Sequence, residues 1–511
     1  MSALLVPGPA RAEGRGMSSS LRAPAPTPPA LAAHAPHTGP AADPDPAAGT
    51  LTHGGLAVLL LAYAPVNIVF GSANVLADPI GRDLGADASG QQLVLAAYTT
   101  AFAASLVIAG RLGDRWGRRR LLLVGSLSMV LVSVLTAFAP TLHTAVVLRV
   151  LLGIAAGLLT PQVLSTIRAA APEPLRTTGL MLFAAVAGVS TVVGQLMAGL
   201  VASALPEHLG WRAVQLLIGL IALIGAAGLP RVPRTRSSAP LALDAGGAAL
   251  LGATLLLLVI PLTLGRSAGW PLWTLLSLAA GVLALAVFWM LQRRSERAGR
   301  LGVVPPSALA LPVVHRGLLM ALLFFVTYGA FLYEVTSFAQ LRTDGGTLGP
   351  ALLVLGFGIA FVSASALLPR LLPGAGPRAM TRAAVAQALA LLALAALVLT
   401  GHSSPMALQW GLVPLGAAQA LMFGPLLSTV LSQAPQWAAG IASGLFATAQ
   451  QLGLTLGVAV LGGLFRGLAG ADGGAADHAL VIVLAVHALC ALVFAALARS
   501  LRQSTGTSSR K

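Results

Sequence analysis

Two ionisable side chains stand out in this sequence because each interrupts a long apolar segment. The chain has 511 residues, of which 9% are charged, and Arg149 and Glu334 lie well inside such segments. A lone charge at the centre of a membrane helix costs about 2.5–3.5 kcal/mol, so we expect each side chain to face a hydrated cavity or the other. This favours a cavity-shaping role for Arg149 and a proton-carrying role for Glu334. In the alternative, each extends to the polar end of its own segment.

Uncharged polar residues inside the apolar segments are candidates for lining a substrate cavity. Six such candidates are Asn67, Tyr98, Gln162, Gln195, Gln419 and Gln450. Hydrogen bonds between packed helices explain any one of them equally well. His487, in the last apolar segment, is interpreted as a peripheral histidine whose polar atoms have partners. Asp78 is interpreted as a group at the end of the first segment.

The sequence indicates no other chemistry. No His, Asp and Glu cluster has the spacing of a metal site, and no nucleophile triad, phosphate-binding loop or nucleotide-fold pattern occurs. Cys490 is the only cysteine, which excludes an intramolecular disulfide and a cysteine-based metal site. We therefore expect no enzyme, no cofactor, no metal and no ATP-driven pump.

The segments that hold these residues predict a polytopic α-helical membrane protein. Hydrophobic residues make up 57% of the chain and the mean hydropathy is +0.86. Apolar runs of about 20 residues, the length that spans a bilayer as a helix, recur along most of the sequence. We predict fourteen spans, at 56–77, 91–110, 120–139, 143–167, 178–203, 211–229, 245–264, 271–291, 317–338, 348–369, 379–400, 405–431, 440–465 and 478–498.

The basic residues indicate the orientation of these spans. A net charge of +16 would suit nucleic-acid binding, but the arginines form short clusters between apolar spans. Fourteen spans place most of them on one side, together with both tails, and leave five on the other: Arg82, Arg212, Arg266, Arg342 and Arg466. The positive-inside rule then predicts a multi-pass protein of the bacterial inner membrane with both termini cytoplasmic and no nucleic-acid partner.

The predicted organisation has two halves. We expect a disordered cytoplasmic tail at 1–50, a six-helix bundle at 51–230, two additional helices at 240–292, a cytoplasmic linker at 293–316, a second six-helix bundle at 317–499 and a cytoplasmic tail at 500–511. The first tail is rich in Pro and Ala and lacks the pattern of a signal peptide; both Met1 and Met17 are possible starts. The stretch from Pro369 to Arg378 partly repeats the one that begins at Gly110, as in duplicated transporters.

The stretch from Gly110 to Arg120, G-R-L-G-D-R-W-G-R-R-R, concentrates charge between the second and third spans. Gly113 and Gly117 are expected to permit a tight reversal of the chain, and Asp114 to accept hydrogen bonds from helix N-terminal amides or to pair with a guanidinium. In one interpretation these residues only form the turn and set the topology.

This stretch resembles the signature loop of the major facilitator superfamily, and it meets every position of the pattern G-x-L-[GA]-D-[RK]-x-G-[RK]-[RK]. R-V-L-L-G at Arg149 to Gly153, G-V-S-T-V-V-G-Q-L-M-A-G at Gly188 to Gly199 and the stretch from Gly440 to Ala459 resemble its fourteen-span drug:proton antiporter branch. The resemblance runs from about Leu56 to Arg499. It implies fourteen transmembrane helices, arranged as two six-helix bundles plus two extra central helices. It also implies a cytoplasmic latch between the halves, built from Gly110, Gly113, Asp114, Arg115, Gly117, Arg118 and Arg119.

The chain departs from that branch at positions tied to proton coupling. Val69 stands where family members usually carry an acid in the first span, and Leu152 replaces the Gln of the fourth-span motif. The expected function is alternating-access, proton-coupled efflux of lipophilic or amphipathic small molecules by a monomer in the bilayer. Two alternatives stay open: transport of a specific metabolite without standard proton antiport, and a membrane sensor that transports nothing.

Overall fold

A computed structural model shows that the chain is built from α-helices. It describes residues 49–86, 88–236, 244–265, 268–300, 302–342, 346–371, 376–433, 439–470 and 474–508. The predicted N-terminal tail lies outside the described residues up to position 48.

Six long helices make up the first part of the chain. They are α1 (His53–Asp83), α2 (Ala88–Trp116), α3 (Arg118–Ala137), α4 (Leu142–Ala170), α5 (Glu173–Ala204) and α6 (Glu207–Gly228). Two further helices follow, α7 (Ala245–Leu264) and α8 (Leu272–Arg297).

The second part of the chain begins with a short helix in the predicted linker. Its elements are α9 (Pro306–Ala310), α10 (Pro312–Arg342), α11 (Leu348–Leu353), α12 (Leu355–Leu371), α13 (Pro377–Leu399), α14 (Pro405–Gln433), α15 (Ala439–Leu456), a π-helical segment (Gly457–Gly462), α16 (Gly463–Ala469) and α17 (Ala476–Ser508).

Twelve helices among the described residues are long and apolar enough to cross a membrane. The second and seventh predicted spans fall on α2 and α7, whose apolar stretches, Leu93–Leu106 and Gly246–Leu262, are shorter than the others. The predicted count of fourteen is therefore not confirmed. Spans form as helices because lipid offers backbone amides and carbonyls no partner outside the helix.

Polar side chains cap the N-termini of some of these helices, where the first backbone amides have no partner within the helix. Thr52 accepts a hydrogen bond from the amide of Gly55 at 3.1 Å and so caps α1. Asp244 caps α7 by accepting from the amide of Gly247 at 2.8 Å. The same aspartate also accepts from Gln292 in α8 at 3.1 Å, which ties the two additional helices together at one end.

The ends of equivalent helices in the two parts are joined by ion pairs. In the first part, Asp83 at the end of α1 pairs with Arg212 in α6 at 2.8 Å. In the second part, Arg342 at the end of α10 pairs with Asp477 in α17 at 2.7 Å. Thus α10 and α17 occupy the places of α1 and α6, with the charges exchanged, and we refer to α1–α6 and α10–α17 as the N-terminal and C-terminal halves.

The two halves pack against each other through few helices. Helix α5 contacts α11, α12 and α14, while α2 contacts α15 and α1 contacts α10. Glycines allow the backbones to approach: a Cβ atom at Gly188 would overlap the ring of Phe361, and one at Gly199 would overlap Ala351. Helix α7 packs on α8, α2 and α15, so it lies beside this junction.

Candidate functional site

A cavity lies between the two halves near the middle of the spanning helices. The described residues that line it are all uncharged and come from α1, α5, α10, α12, α14 and α15: Asn67, Phe70, Ala187, Gly188, Thr191, Phe324, Phe325, Tyr328, Phe361, Phe423, Gln450 and Leu454. It has room for about one water molecule. A drug-sized molecule therefore enters only if the halves separate.

Aromatic rings of the C-terminal half form one wall of this cavity. Phe324 stacks on Phe423 with ring centroids 5.6 Å apart, and Phe325 meets Phe423 edge to face at 5.2 Å. Tyr328 stacks on Phe324 at 6.0 Å. Asn67 lies on the opposite side, buried, and its Nδ2 has no hydrogen-bond partner. The cavity thus offers an apolar, aromatic face and an unused amide donor.

Two further spaces extend this cavity toward the C-terminal end of α1, which is the outer end in the predicted topology. The first is shared by α1, α2, α15 and the π-helical segment and includes Phe70, Asn74 and Tyr98. The second includes Asn74, Asp78 and Arg466. Asn67, Phe70, Asn74 and Asp78 are spaced three or four residues apart, which places them on one face of α1. This face follows a path from the centre to the outer surface.

Polar contacts between the halves close the outer end of this path. Arg466 in α16 lies 3.9 Å from Asp78 in α1. Gln340 in α10 donates a hydrogen bond to the carbonyl of Val75 at 3.2 Å. Deeper in, Gln195 of α5 donates to the hydroxyl of Thr336 at 3.3 Å. Asp78 is therefore part of a contact between the halves, which the sequence alone did not indicate.

Glu334 and His487 form a buried pair inside the C-terminal half. The Nε2 atom of His487 in α17 lies 2.8 Å from Oε2 of Glu334 in α10, and the two side chains are 1% and 0% exposed. The interpretation of His487 as a peripheral histidine is wrong, because this face of α17 packs on α10. Glu334 faces His487 rather than Arg149, so the two charged side chains of the spanning helices do not pair with each other among the described contacts.

Arg149 is buried in the N-terminal half without a hydrogen-bond partner for its terminal nitrogens. Its exposure is 1%, and neither Nη1 nor Nη2 is bonded. Tyr98 in α2 does not satisfy these nitrogens, because its hydroxyl donates to the carbonyl of Val66 at 2.6 Å. An unpaired buried guanidinium is costly, so Arg149 is a candidate to meet a water molecule or ligand when the halves move.

The six uncharged polar candidates fall into three groups. Asn67 and Gln450 line the central cavity, and Tyr98 lines the space beside it. Gln162 donates to the carbonyl of Ala109 at 2.7 Å and so joins α4 to α2. Gln195 joins the halves, as described above, and Gln419 lies beside His487 inside the C-terminal half. Helix packing thus explains Gln162.

The predicted latch residues surround a turn of a single residue. Residues up to Trp116 are helical, and Gly117, with φ +95°, is the N-cap of α3, a conformation that favours glycine. Gly113 lies inside α2, where a Cβ atom would overlap Gln162; the expectation that it belongs to the reversal is wrong. Gly110 also lies in α2, and Arg115 is exposed. The side chains of Arg111 and Asp114 lie outside the described residues.

At the inner end, two bonds of Arg118 lie within the N-terminal half. Its amide donates to the carbonyl of Thr235 at 3.0 Å, and its Nη1 donates to the carbonyl of Ser165 at 3.4 Å. Arg119, the last residue of the predicted latch, is partly buried. A bond between the halves comes instead from Arg168 at the end of α4, which donates to the carbonyl of Leu431 in α14 at 3.4 Å.

The part of the chain that the structure describes contains no group of three or more His, Cys, Asp or Glu placed to hold a metal ion.

Comparisons with known proteins agree on one family. A model of the Major Facilitator Superfamily matches residues 59–261. The chain is 32% identical to the probable actinorhodin transporter of Streptomyces coelicolor, over 78% of this chain and 70% of that protein. It is 33% identical to the puromycin resistance protein pur8 of Streptomyces alboniger, over 83% of each.

A solved structure shares the fold at low sequence identity. The partially occluded, inward-open xylose transporter XylE of E. coli superposes with a TM-score of 0.57 at 15% identity. The match covers 85% of this chain and 95% of that structure.

Proposed function

This chain belongs to the major facilitator superfamily, and on that premise we propose that it exports lipophilic or amphipathic small molecules by alternating access. It is a multi-pass membrane protein and a transporter rather than an enzyme. The relatives named for actinorhodin transport and puromycin resistance support export of compounds of that kind.

The observation that carries this proposal is the uncharged cavity between the halves. A wall formed by Phe324, Phe325, Tyr328 and Phe423 suits an apolar, ring-containing molecule. The amide of Asn67 supplies a hydrogen-bond donor for a carbonyl or hydroxyl on the same molecule. Such a lining favours an amphipathic substrate over a sugar or a carboxylate, which would need several polar or cationic partners.

Export against a gradient requires an energy source, and we propose that protons supply it through Glu334. Val69, at the place of the usual first-span acid, is an apolar, fully buried residue. Glu334 is the buried acid that remains available in the spanning helices described. Arg149 has the role of shaping the cavity on the N-terminal side.

The topology follows from the same premise. We propose that α2 and α7 cross the membrane along with the twelve longer helices, which makes fourteen spans and places both termini in the cytoplasm. The protein acts in the inner membrane as a monomer, since one chain contains the whole path. The turn at Gly117 and its flanking arginines act as a latch on the cytoplasmic side.

A susceptibility panel in an efflux-deficient bacterial host tests this function. The protein should raise the inhibitory concentration of puromycin, ethidium and aromatic polyketides, and an ionophore that collapses the proton gradient should remove the effect. Phe361→Ala, in the cavity wall, should reduce resistance. Phe288→Ala, a matched truncation of a buried ring in α8, should not.

The outcomes separate the remaining alternatives. Resistance that persists in the presence of the ionophore would contradict proton coupling but not export. If neither resistance nor flux of any panel compound depends on the protein, the export proposal fails, and a specific metabolite transporter or a sensor takes its place.

A further inference from the structure

We infer that Glu334 and His487 together form one proton-binding site, enclosed in the C-terminal half and separate from the substrate cavity. Glu334 is the proton carrier of the function proposed above, on which this inference rests. His487 has the role of a positioning residue, which holds the carboxyl group of Glu334 and shares its proton.

A shared proton would leave the enclosed pair without net charge. With one proton shared between them, the pair has no net charge, either as carboxylate and imidazolium or as carboxylic acid and imidazole. Loss of that proton to water leaves one negative charge on two side chains that are 0% and 1% exposed, which is expensive in apolar surroundings. Release of the proton is therefore coupled to opening of the site to water.

Among the described residues that line the space beside the pair, His487 is the only acid or base. The space beside it is lined by Thr327, Phe331, Gln387, Leu391, Leu415, Gln419 and His487. Helices α14 and α15, which pack on α10, contain no Asp, Glu, Lys, Arg or His. The other titratable groups on the helices around the pair are Arg378 and Arg382 in α13, Arg466 in α16, Asp78, Asp83, Tyr63, Arg82 and His53 in α1, Arg370 in α12, His315, Arg316, Tyr328, Tyr333 and Arg342 in α10, and Asp477, His478, Cys490, Arg499 and Arg502 in α17.

The pair also has hydrogen-bonding atoms that no protein group contacts. Oε1 of Glu334 and Nδ1 of His487 are buried without partners, and so are Oε1 of Gln387 and of Gln419. Here they remain available to bind water when the site opens.

Helix α10 connects this site to the substrate cavity. Phe324 and Tyr328 line the cavity, and Glu334 lies on the same helix. Between them, Phe331 meets His487 edge to face at 6.0 Å and lies 5.9 Å from Phe357. Phe357 in turn lies 6.4 Å from Phe361 in the cavity wall. A change in the contact between α10 and α17 on proton release thus reaches the wall through directly packed rings.

The test compares two transport modes in proteoliposomes, with ethidium as the probe. One assay measures accumulation driven by a pH gradient, and the other measures equilibrium exchange without a gradient. Glu334→Gln and His487→Gln should each lower gradient-driven accumulation by about tenfold or more while exchange continues. The double variant should be no worse than either single one. His478→Gln, which changes the exposed histidine in the first turn of the same helix, should behave as wild type.

Two results would overturn the inference. One is wild-type gradient dependence in His487→Gln. The other is an equal loss of equilibrium exchange and gradient-driven accumulation in a variant whose elution volume and melting temperature match the wild type. A purely structural role for the pair predicts that result. If the wild-type protein moves no ethidium at all, the export function fails for this probe, and a second measurement decides the inference.

That second measurement needs no substrate. In the purified protein, an infrared pH titration should show a carboxylic acid band that is absent in Glu334→Gln. The pH at which this band disappears should change in His487→Gln and stay the same in His478→Gln. A band that titrates identically in His487→Gln and wild type would contradict a shared proton.

Discussion

Asp78 in α1 and Arg466 in α16 lie 3.9 Å apart and link the outer ends of the two halves. Both side chains are only partly exposed, and they stand at the end of the path that runs along α1 from Asn67. The halves must separate here for an exported molecule to leave. In the proposed topology, the pair therefore acts as an outer gate.

Weakening this gate should make the path easier to reach from outside. A partly exposed ion pair contributes about 0.2–1 kcal/mol, so Arg466→Gln should raise the rate of external thiol labelling at Ser337→Cys by up to about fivefold. Ser337 lines the outermost space, and Cys490→Ser supplies the thiol-free background. Arg82→Gln is the control, because Arg82 pairs with Glu207 within one half. Equal labelling of both variants would argue against a gate.

Close packing at Gly199 should hold the outer side shut. A Cβ atom there would overlap Ala351 and approach the Thr347 carbonyl to 2.9 Å. Overpacking costs about 1–3 kcal/mol and applies only to the closed arrangement, so Gly199→Ala should shift the population toward the outward-open state. The same labelling assay reports this shift. Gly444 is a helical glycine at which an added Cβ atom would have nothing within 4 Å. Gly444→Ala should leave the labelling rate unchanged, and a higher rate would contradict the explanation.

Arg149 should matter for transport and not for stability. Its terminal nitrogens are unpartnered and buried, so Arg149→Met removes an uncompensated charge and should leave the melting temperature unchanged or higher. Resistance should nevertheless fall by about tenfold or more, and Arg149→Lys should recover part of it. Gln215→Met, at a buried and unpartnered glutamine in α6, should keep full resistance. A destabilised Arg149→Met would show that the arginine is structural.

Asp83 and the side chains that donate hydrogen bonds to it should matter for the stability of the fold and not for proton-coupled transport. Asp83 accepts hydrogen bonds from Trp211 at 2.9 Å and Arg212 at 2.8 Å, and Arg212 also donates to two carbonyls at the end of α3. Asp83→Ala leaves these donors short of a partner, which should cost about 1–3 kcal/mol. Thermal unfolding in detergent should show a clear loss. Glu173→Ala, which removes an exposed pair with Arg176, should change unfolding little.

The apolar pattern predicted where the helices lie because lipid leaves a spanning segment little alternative. The ninth predicted span at 317–338 falls within α10, and the fourth at 143–167 falls within α4. The turn at Gly117 was likewise predictable from the glycine and the charges beside it. A short-range pattern does not distinguish a turn from the last turn of a helix, so Gly113 was assigned to the wrong element.

The sequence by itself determined where the long apolar helices lie and which family they resemble. It also identified Arg149 and Glu334 as the charges to explain. Only the tertiary structure decided their partners. His487 lies 153 positions from Glu334, and Asp78 and Arg466 belong to different halves. Hydropathy places a residue at a depth in the bilayer, but close packing of helix surfaces decides which face meets which neighbour. Packing of α17 on α10 makes His487, which the sequence suggested was peripheral, the partner of the buried Glu334.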